Sequence, residues 1–74
     1  MSFEDAALAC SDPFAIEWID TRQAYGEERS ALLGLCGRTV LYVAYTERED
    51  NLRIISARRA TKNEQDDYYR QNTP

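Results

Sequence analysis

Residues 39–46 read TVLYVAYT, the clearest strand signal in the 74-residue chain, because β-branched and aromatic side chains fill the run. Gly37 and Arg38 precede it, and glycine supplies the positive φ that a tight hairpin turn needs. Residues 28–36 could form a helix by propensity, because they contain leucine and alanine, but Gly34 and Gly37 argue against it. We therefore predict that residues 29–36 pair with 39–46 as a hairpin, which decides the fold.

Shorter patterns extend from this hairpin in both directions. Ser2 and Asp5 form a capping box that predicts a helix over residues 3–10, and Asp12-Pro13 ends it. Alternating apolar residues predict a strand over 14–19, followed by a polar loop over 20–26. After a charged turn over 47–51, residues 52–57 predict a last strand and the capping box of Thr61 and Glu64 a helix over 62–71.

The predicted order of elements gives an α+β fold in one domain spanning residues 1–74. It is an antiparallel four-stranded sheet with a short N-terminal helix and a C-terminal helix, and the helices are available to cover one face. In the last strand, alternation places residues 54, 56 and 58 on one face and residues 53, 55, 57 and 59 on the other.

Composition excludes several classes of protein. With 43% hydrophobic and 30% charged residues, the chain has a globular composition rather than a disordered one. No apolar run is long enough to cross a bilayer and no secretory signal is evident, so we expect a cytoplasmic protein. The net charge of −4 argues weakly against non-specific binding of nucleic acid. A single basic segment without acids holds Arg53, Arg58, Arg59 and Lys62.

Cysteine and histidine usage narrows the possible chemistry. Cys10 and Cys36 could form at most one bridge, and we expect two buried free thiols. The chain has no histidine, which excludes Ser-His and Cys-His catalysis and argues against a zinc site. Acid–base chemistry would therefore fall to carboxylates, tyrosine, lysine or arginine, and we expect neither a metal nor a cofactor.

Several segments together closely resemble the BrnT family of bacterial toxins. They are SFEDAA (2–7), DP (12–13), YGEER (25–29), VAYTER (43–48) and RIISARRAT (53–61), followed by Glu64 and Tyr68. The resemblance runs from about residue 2 to residue 69. Family members usually begin with a further strand and helix, so it also implies that this chain is N-terminally short. Such a chain would leave a sheet edge or an apolar groove open to dimerisation or strand exchange.

The resemblance implies a ribonuclease toxin of a type II toxin–antitoxin module, with a compact fold similar to that of RelE toxins. The implied partners are an RNA substrate and a BrnA-like antitoxin with a ribbon-helix-helix DNA-binding region. Operator DNA would be contacted only indirectly, through the antitoxin.

A metal-independent ribonuclease must activate a 2′-hydroxyl, stabilise a phosphorane and protonate the leaving 5′-oxygen. Arginine suits the binding of phosphate, because its planar guanidinium engages two oxygens at once. We therefore predict Arg58 and Arg59 as the leading catalytic residues, with Arg53 beside them. Candidates for the acid or base are Glu47, Glu28, Tyr45 and Lys62, among which the sequence does not choose. We predict substrate binding by Arg48, Lys62 and Arg29.

Structural interpretations compete with these roles. Arg58 and Arg59 could instead be surface residues paired with Glu64 or Glu28, and Glu28-Arg29 could be a structural ion pair. The tyrosines at 42, 45, 68 and 69 are expected to pack in the core rather than stack on bases, and Trp18 is expected to be a core anchor. Two functions therefore stay open: an RNA-cleaving toxin whose arginine patch is covered by an antitoxin, or a non-catalytic module that binds antitoxin or its own copy.

Overall fold

A computed structural model describes residues 3–20, 29–48 and 51–72. The elements are α1 (Phe3–Cys10), β1 (Ile16–Asp20), β2 (Arg29–Cys36), β3 (Thr39–Arg48), β4 (Asn51–Arg59) and α2 (Lys62–Asn72). Their order and the antiparallel sheet confirm the predicted α+β fold. In the described part of the chain, no helix is long and apolar enough to cross a membrane. Ser2, the loop over 20–26, Glu28 and the tip of the turn over 47–51 lie wholly or largely outside these residues.

The four strands form an antiparallel meander in the order β1-β2-β3-β4. Its centre is the predicted hairpin, which closes with Cys36 opposite Thr39 and has Gly37 at a φ of 62° in the turn. β1 begins at Ile16, two residues later than predicted. The reason is the turn that follows α1. There the Phe14 N–H donates to the Asp12 side chain instead of to the backbone of a neighbouring strand.

The two helices cover opposite faces of the sheet, contrary to the expectation that they would share one. Along the first face, α1 packs on a cluster made of Ala6, Ala9, Leu32, Leu41, Val43 and Tyr45. Along the second face, α2 packs through Tyr68 on Leu33, Val40 and Ala60. The adjacent residues Leu32 and Leu33 are both buried, so β2 offers an apolar surface on each side and each helix covers one.

A bulge in β4 changes which residues share a face. Ser56 lies opposite Ala44 and Ile54 lies opposite Tyr45, so Ile55 is the extra residue. The predicted assignment of residues to the two faces is therefore correct for residues 56–59 and wrong for residues 53–55. Ile54 packs with the α1 core, whereas Arg53, opposite Thr46, moves to the α2 face that carries Arg58.

Asp12 joins three elements of the fold. One carboxylate oxygen accepts the Phe14 N–H at 2.9 Å. The other accepts the Leu35 N–H of β2 at 2.9 Å and also accepts the Tyr68 hydroxyl of α2. Burial raises the pKa of Asp12, but these three hydrogen bonds outweigh it, so the pKa lies below its ordinary value. The ionised carboxylate therefore ties α2 and β2 to the turn after α1.

The side chains predicted to lie in the core divide into three groups. Tyr42 is half-buried and packs against the cluster beneath α2. Tyr45 and Tyr68 are buried, as expected. Trp18 and Tyr69 are 40% and 49% exposed, so neither is a core anchor. Trp18 is exposed because, among the strands that the structure describes, β1 lies at the edge and pairs with β2 alone. The two cysteines are free thiols as predicted, although they are half-buried rather than fully buried.

Gly34→Ala is expected to lower the free energy of unfolding by about 3 kcal/mol. A Cβ at Gly34 would lie 2.2 Å from the carbonyl oxygen of Ala9, so α1 would have to move away from β2. Gly37→Ala is the matched control, since a Cβ there meets nothing within 4 Å and only the positive φ is strained, at a cost of about 1 kcal/mol. Urea denaturation of both variants checks this, and a larger loss in Gly37→Ala would contradict the close packing of α1 on β2.

Candidate functional site

Arg58 lies at the end of β4, next to the first turn of α2. Its two terminal nitrogens donate to the two oxygens of Glu64, with Nη1–Oε1 at 2.8 Å and Nη2–Oε2 at 3.0 Å. Glu64 also completes the predicted capping box, because it accepts the Thr61 N–H at 2.8 Å and its own N–H donates to the Thr61 hydroxyl at 3.2 Å. The helix cap therefore fixes the carboxylate that orients Arg58.

This pair is charged at neutral pH. The hydrogen bond from Arg58 is the main cause that lowers the pKa of Glu64 below its ordinary value, and the same bond raises the pKa of Arg58. The Arg58 side chain nevertheless remains 49% exposed, so an incoming anion can reach it. The pairing of Arg58 with Glu64, one of the two partners considered for it, is present in the structure.

Two aromatic rings continue the site from Arg58 across the sheet. The guanidinium carbon of Arg58 lies 4.2 Å from the centre of the Tyr42 ring, a cation–π contact. The Tyr42 and Trp18 ring centres are 6.1 Å apart, with the ring planes tilted by 56°. One arginine and two aromatic side chains, from β4, β3 and β1, therefore line up on the α2 face.

A groove of about 440 Å³ lies beside these rings, between β1 and α2. We call it the α2 groove. Its lining includes Ile16, Trp18, Leu33, Glu64, Asp67 and Gln71. The sheet side of the groove is mainly apolar, with one carboxylate from Glu17 of β1, which also accepts the Tyr45 hydroxyl. The helix side carries carboxylates and an amide, so the groove can hold a flat group with hydrogen-bond donors at its edge.

Arg59 lies on the other face of the sheet. It pairs with Leu41, whereas Arg58 pairs with Tyr42, and adjacent strand residues point in opposite directions. A separate cleft of about 220 Å³ is lined by Arg59, Asp5, Cys36, Thr39 and Leu41. Burial is the main cause that raises the pKa of the Cys36 thiol, which donates to Asp5 at 3.7 Å, so Cys36 is no activated nucleophile. Because they lie on opposite faces of the sheet, Arg58 and Arg59 are not placed to bind the same phosphate group.

The other predicted site residues are dispersed. Arg53 lies on the same face as Arg58. Its β3 partner, Thr46, is four residues beyond Tyr42, the partner of Arg58, which is about 13 Å along the strand. Glu47 lies exposed opposite Leu52, Lys62 is exposed at the start of α2, and Arg29 is half-buried opposite Asp20. The Arg48 side chain and Glu28 lie outside the described part of the chain.

Tyr45 lies on the α1 face, away from Arg58. Its hydroxyl donates to Glu17 Oε2 at 3.0 Å. Burial, with the hydrogen bond to Glu17, raises the pKa of Tyr45 to about 12. Tyr45 is therefore placed as a buried structural tyrosine.

A comparison with known protein families shows to which family the chain is related. Residues 1–64 match the family described as ribonuclease toxin, BrnT, of type II toxin–antitoxin system. The chain belongs to the BrnT family. The matched residues include Trp18, Tyr42, Arg58 and Glu64, so the whole Arg58 site falls within the BrnT match. No curated protein compared with the chain matches it. A type II toxin is paired with an antitoxin, so BrnT membership implies an antitoxin partner.

Three residues that surround Arg58 were not predicted as candidates for the site. Glu64 was predicted as a cap, and Tyr42 and Trp18 were predicted as packing groups. The sequence did contain a signal for Trp18, because alternation in β1 places it on the same face as Ile16, which also lines the groove.

In the described residues, no cluster of three or more cysteine, aspartate or glutamate side chains could hold a metal ion.

Tyr45→Phe is expected to remove a step of alkaline destabilisation. The pKa of Tyr45 is raised from about 10 to about 12 in the folded chain, so its neutral hydroxyl contributes stability that is present below pH 10 and is lost as the pH rises through 12. That contribution is about 3 kcal/mol, at about 1.4 kcal/mol for each unit of pKa. Urea unfolding at pH 7 and pH 11.5 should show a smaller loss with pH in the variant than in the parent. An equal loss in both chains would contradict the assignment to Tyr45.

Proposed function

We propose that this BrnT chain is an endoribonuclease that cleaves RNA without a metal ion and is held inactive by a cognate antitoxin. The observation that carries the proposal is the family match over residues 1–64. Arg58 supports it, since a half-exposed guanidinium beside aromatic rings suits a phosphate of single-stranded RNA.

In the proposed mechanism, a phosphate group takes the place of the Glu64 carboxylate on Arg58. Glu64 engages both terminal nitrogens of Arg58, and two phosphate oxygens can form the same pair of hydrogen bonds. The guanidinium then stabilises the charge that develops when the 2′-oxygen attacks phosphorus. Water takes the proton of the 2′-hydroxyl, the bond to the 5′-oxygen breaks, and water returns a proton to that oxygen, leaving a 2′,3′-cyclic phosphate and a 5′-hydroxyl.

Electrostatic stabilisation carries most of this proposed mechanism. Glu64, the carboxylate in contact with Arg58, has a lowered pKa and is therefore a weak base at neutral pH. Tyr45, a predicted acid–base candidate, is buried on the opposite face. Arg53, on the same face as Arg58, would bind a neighbouring phosphate of the strand.

The proposed partner is a BrnA-like antitoxin with a ribbon-helix-helix region. It would cover Arg58 and the α2 groove, and operator DNA would be bound through the antitoxin alone. Because the chain has a net charge of −4, a basic segment of the antitoxin would be attracted to its acidic surface.

Incubation of the purified chain with single-stranded RNA in the presence of EDTA tests the proposal. We expect fragments with cyclic phosphate ends, no cleavage of a 2′-deoxy analogue, and inhibition by a stoichiometric amount of the antitoxin. Intact RNA under these conditions, or cleavage of the 2′-deoxy analogue, would contradict it.

The alternative is a non-catalytic module that binds antitoxin or a second copy of itself. The edge strand β1 favours it, because Ile19 and the preceding Phe14 are 59% and 62% exposed. Light scattering and antitoxin pull-down separate the two functions. Tight assembly without any RNA cleavage supports the module, whereas a monomer that cleaves RNA excludes it.

A further inference from the structure

We infer that the α2 groove is a nucleobase site that takes a guanine of single-stranded RNA, next to the phosphate bound by Arg58. The inference deepens the proposed function, on which it rests for the identity of the ligand as RNA. It assigns binding roles to Trp18, Tyr42 and Asp67.

The first argument is the aromatic surface. Trp18 is 40% exposed and lines the groove, and its ring lies 6.1 Å from that of Tyr42. Arg58 in turn lies over the Tyr42 ring at 4.2 Å. Unstacked bases of single strands bind to aromatic rings of this kind next to a cation that holds the backbone. The apolar side chains of Ile16 and Leu33 complete the surface against which a base would lie.

The second argument is the hydrogen-bonding edge of the groove. Glu64 belongs to the helix cap, where it accepts the Thr61 N–H, and this contact holds its carboxylate at the cap when a phosphate takes its place on Arg58. Asp67 contributes a further carboxylate, and its contact with Arg70 is long, at 3.4 Å through Oδ1, between two exposed side chains. This contact is weak enough to be exchanged for a ligand.

The chemistry of Asp67 selects among the bases. A carboxylate accepts hydrogen bonds and donates none, so it fits two parallel N–H donors. Guanine presents such a pair at N1–H and N2–H, whereas cytosine, adenine and uracil each present an acceptor beside a donor. Acceptors facing a carboxylate repel it, so the groove favours guanine.

Trp18 itself reports on the site, since it is the only tryptophan in the sequence. Titration with 5′-GMP is expected to quench its fluorescence saturably, and 5′-UMP to bind at least about fivefold more weakly, the lower end of the effect of one bidentate contact. Equal binding of the two nucleotides would overturn the inference, and so would the absence of quenching by both. Quenching by a lysine-rich peptide and by neither nucleotide would overturn it in favour of a protein ligand.

Two neighbouring aspartates provide a matched pair of variants. Asp67→Asn is expected to abolish the preference for 5′-GMP, whereas Asp66→Asn, which makes the same change of charge on α2, should keep it, since Asp66 is not among the groove-lining residues. Likewise, Trp18→Leu should weaken 5′-GMP binding measured by calorimetry at least tenfold, and Ile19→Leu should not change it. Equal effects within either pair would overturn the site.

These measurements separate the inference from the proposed activity. Guanine-selective quenching by a chain that does not cleave RNA would support the base site and contradict the ribonuclease. Cleavage with no preference for guanosine next to the cut, together with no selective quenching, would overturn the base site and leave the ribonuclease intact.

Discussion

Arg58→Ala is expected to lower the rate of RNA cleavage by about 10²- to 10³-fold, the usual effect of removing one group that stabilises a developing anion. Arg58 combines a bidentate carboxylate contact with an aromatic neighbour. Among the described residues, Arg59 faces the other side of the sheet and Arg53 lies about 13 Å away along the strand, so neither is placed to replace Arg58. Arg58→Lys keeps the charge but loses the planar pair of donors, and we expect it to recover less than a tenth of the parent rate. Single-turnover cleavage of a labelled oligonucleotide measures both variants.

Arg59→Ala is the matched control for this prediction. Arg59 is the next residue of the same strand and carries the same charge, but it faces the opposite side of the sheet. We expect its removal to reduce cleavage less than tenfold. Circular dichroism must show that each variant is folded, since Arg58 also stabilises the cap of α2. A larger loss in Arg59→Ala than in Arg58→Ala would contradict the choice of the α2 face and favour the cleft near Cys36.

Asp12→Ala is expected to lower the free energy of unfolding by about 3–5 kcal/mol. The carboxylate accepts two part-buried hydrogen bonds, from the Leu35 N–H and the Tyr68 hydroxyl, and hydrogen bonds to a charged group are worth about 1.5–3 kcal/mol each. The bond from the Phe14 N–H is exposed to water and adds little. A 74-residue domain has a total stability of roughly 4–11 kcal/mol, so this variant should be largely unfolded at 37 °C. Urea denaturation at pH 7 gives the value.

The pH dependence of the free energy of unfolding tests whether the charge of Asp12 causes this loss of stability. Because the pKa of Asp12 is lowered in the folded chain, its contribution is present above the pKa of the unfolded chain, near 3.9, and is lost as the pH falls below it. The gap between parent and Asp12→Ala should therefore narrow at pH 2.5. Asp66→Ala, an exposed position, should change stability by less than about 0.5 kcal/mol. A gap that does not depend on pH would contradict the role of the ionised carboxylate.

The sequence predicted the fold well where local patterns are strong. The run at 39–46, the glycine turn and the Thr61–Glu64 capping box each specify one local structure, and all three are present. The helices were predicted to be available to cover one face, but β2 buries both Leu32 and Leu33 and thus needs a helix on each side. A strand that is buried on both faces does not show the simple alternation of apolar and polar residues, so the need for two helices was not evident from the sequence.

The bulge at Ile55 was not predictable, and it decides which arginines share a face. A run such as RIISARR has no glycine or proline to mark an extra residue, and the shift arises where the strand pairs with Ala44 and Tyr45. Regular alternation would have placed Arg53 with Arg59. In the folded chain Arg53 faces the same side as Arg58 instead.

The candidate site was predicted in part. Arg58 was predicted from its chemistry and from the family resemblance, but its neighbours come from β1, β3 and α2, which are far apart in sequence. Trp18 was predicted as a core residue because tryptophan is usually buried, and its position on the edge strand became evident only from the strand order. Long-range neighbours of this kind cannot be read from spacing in one sequence.

Induced expression of the chain in bacteria, with growth and bulk RNA integrity followed beside Arg58→Ala, tests the central claim most directly. The account predicts growth arrest and loss of RNA with the parent chain, both relieved by co-expression of the antitoxin and both absent in the variant. Unimpaired growth and intact RNA with the parent, at expression equal to that of the variant, would contradict a ribonuclease centred on Arg58.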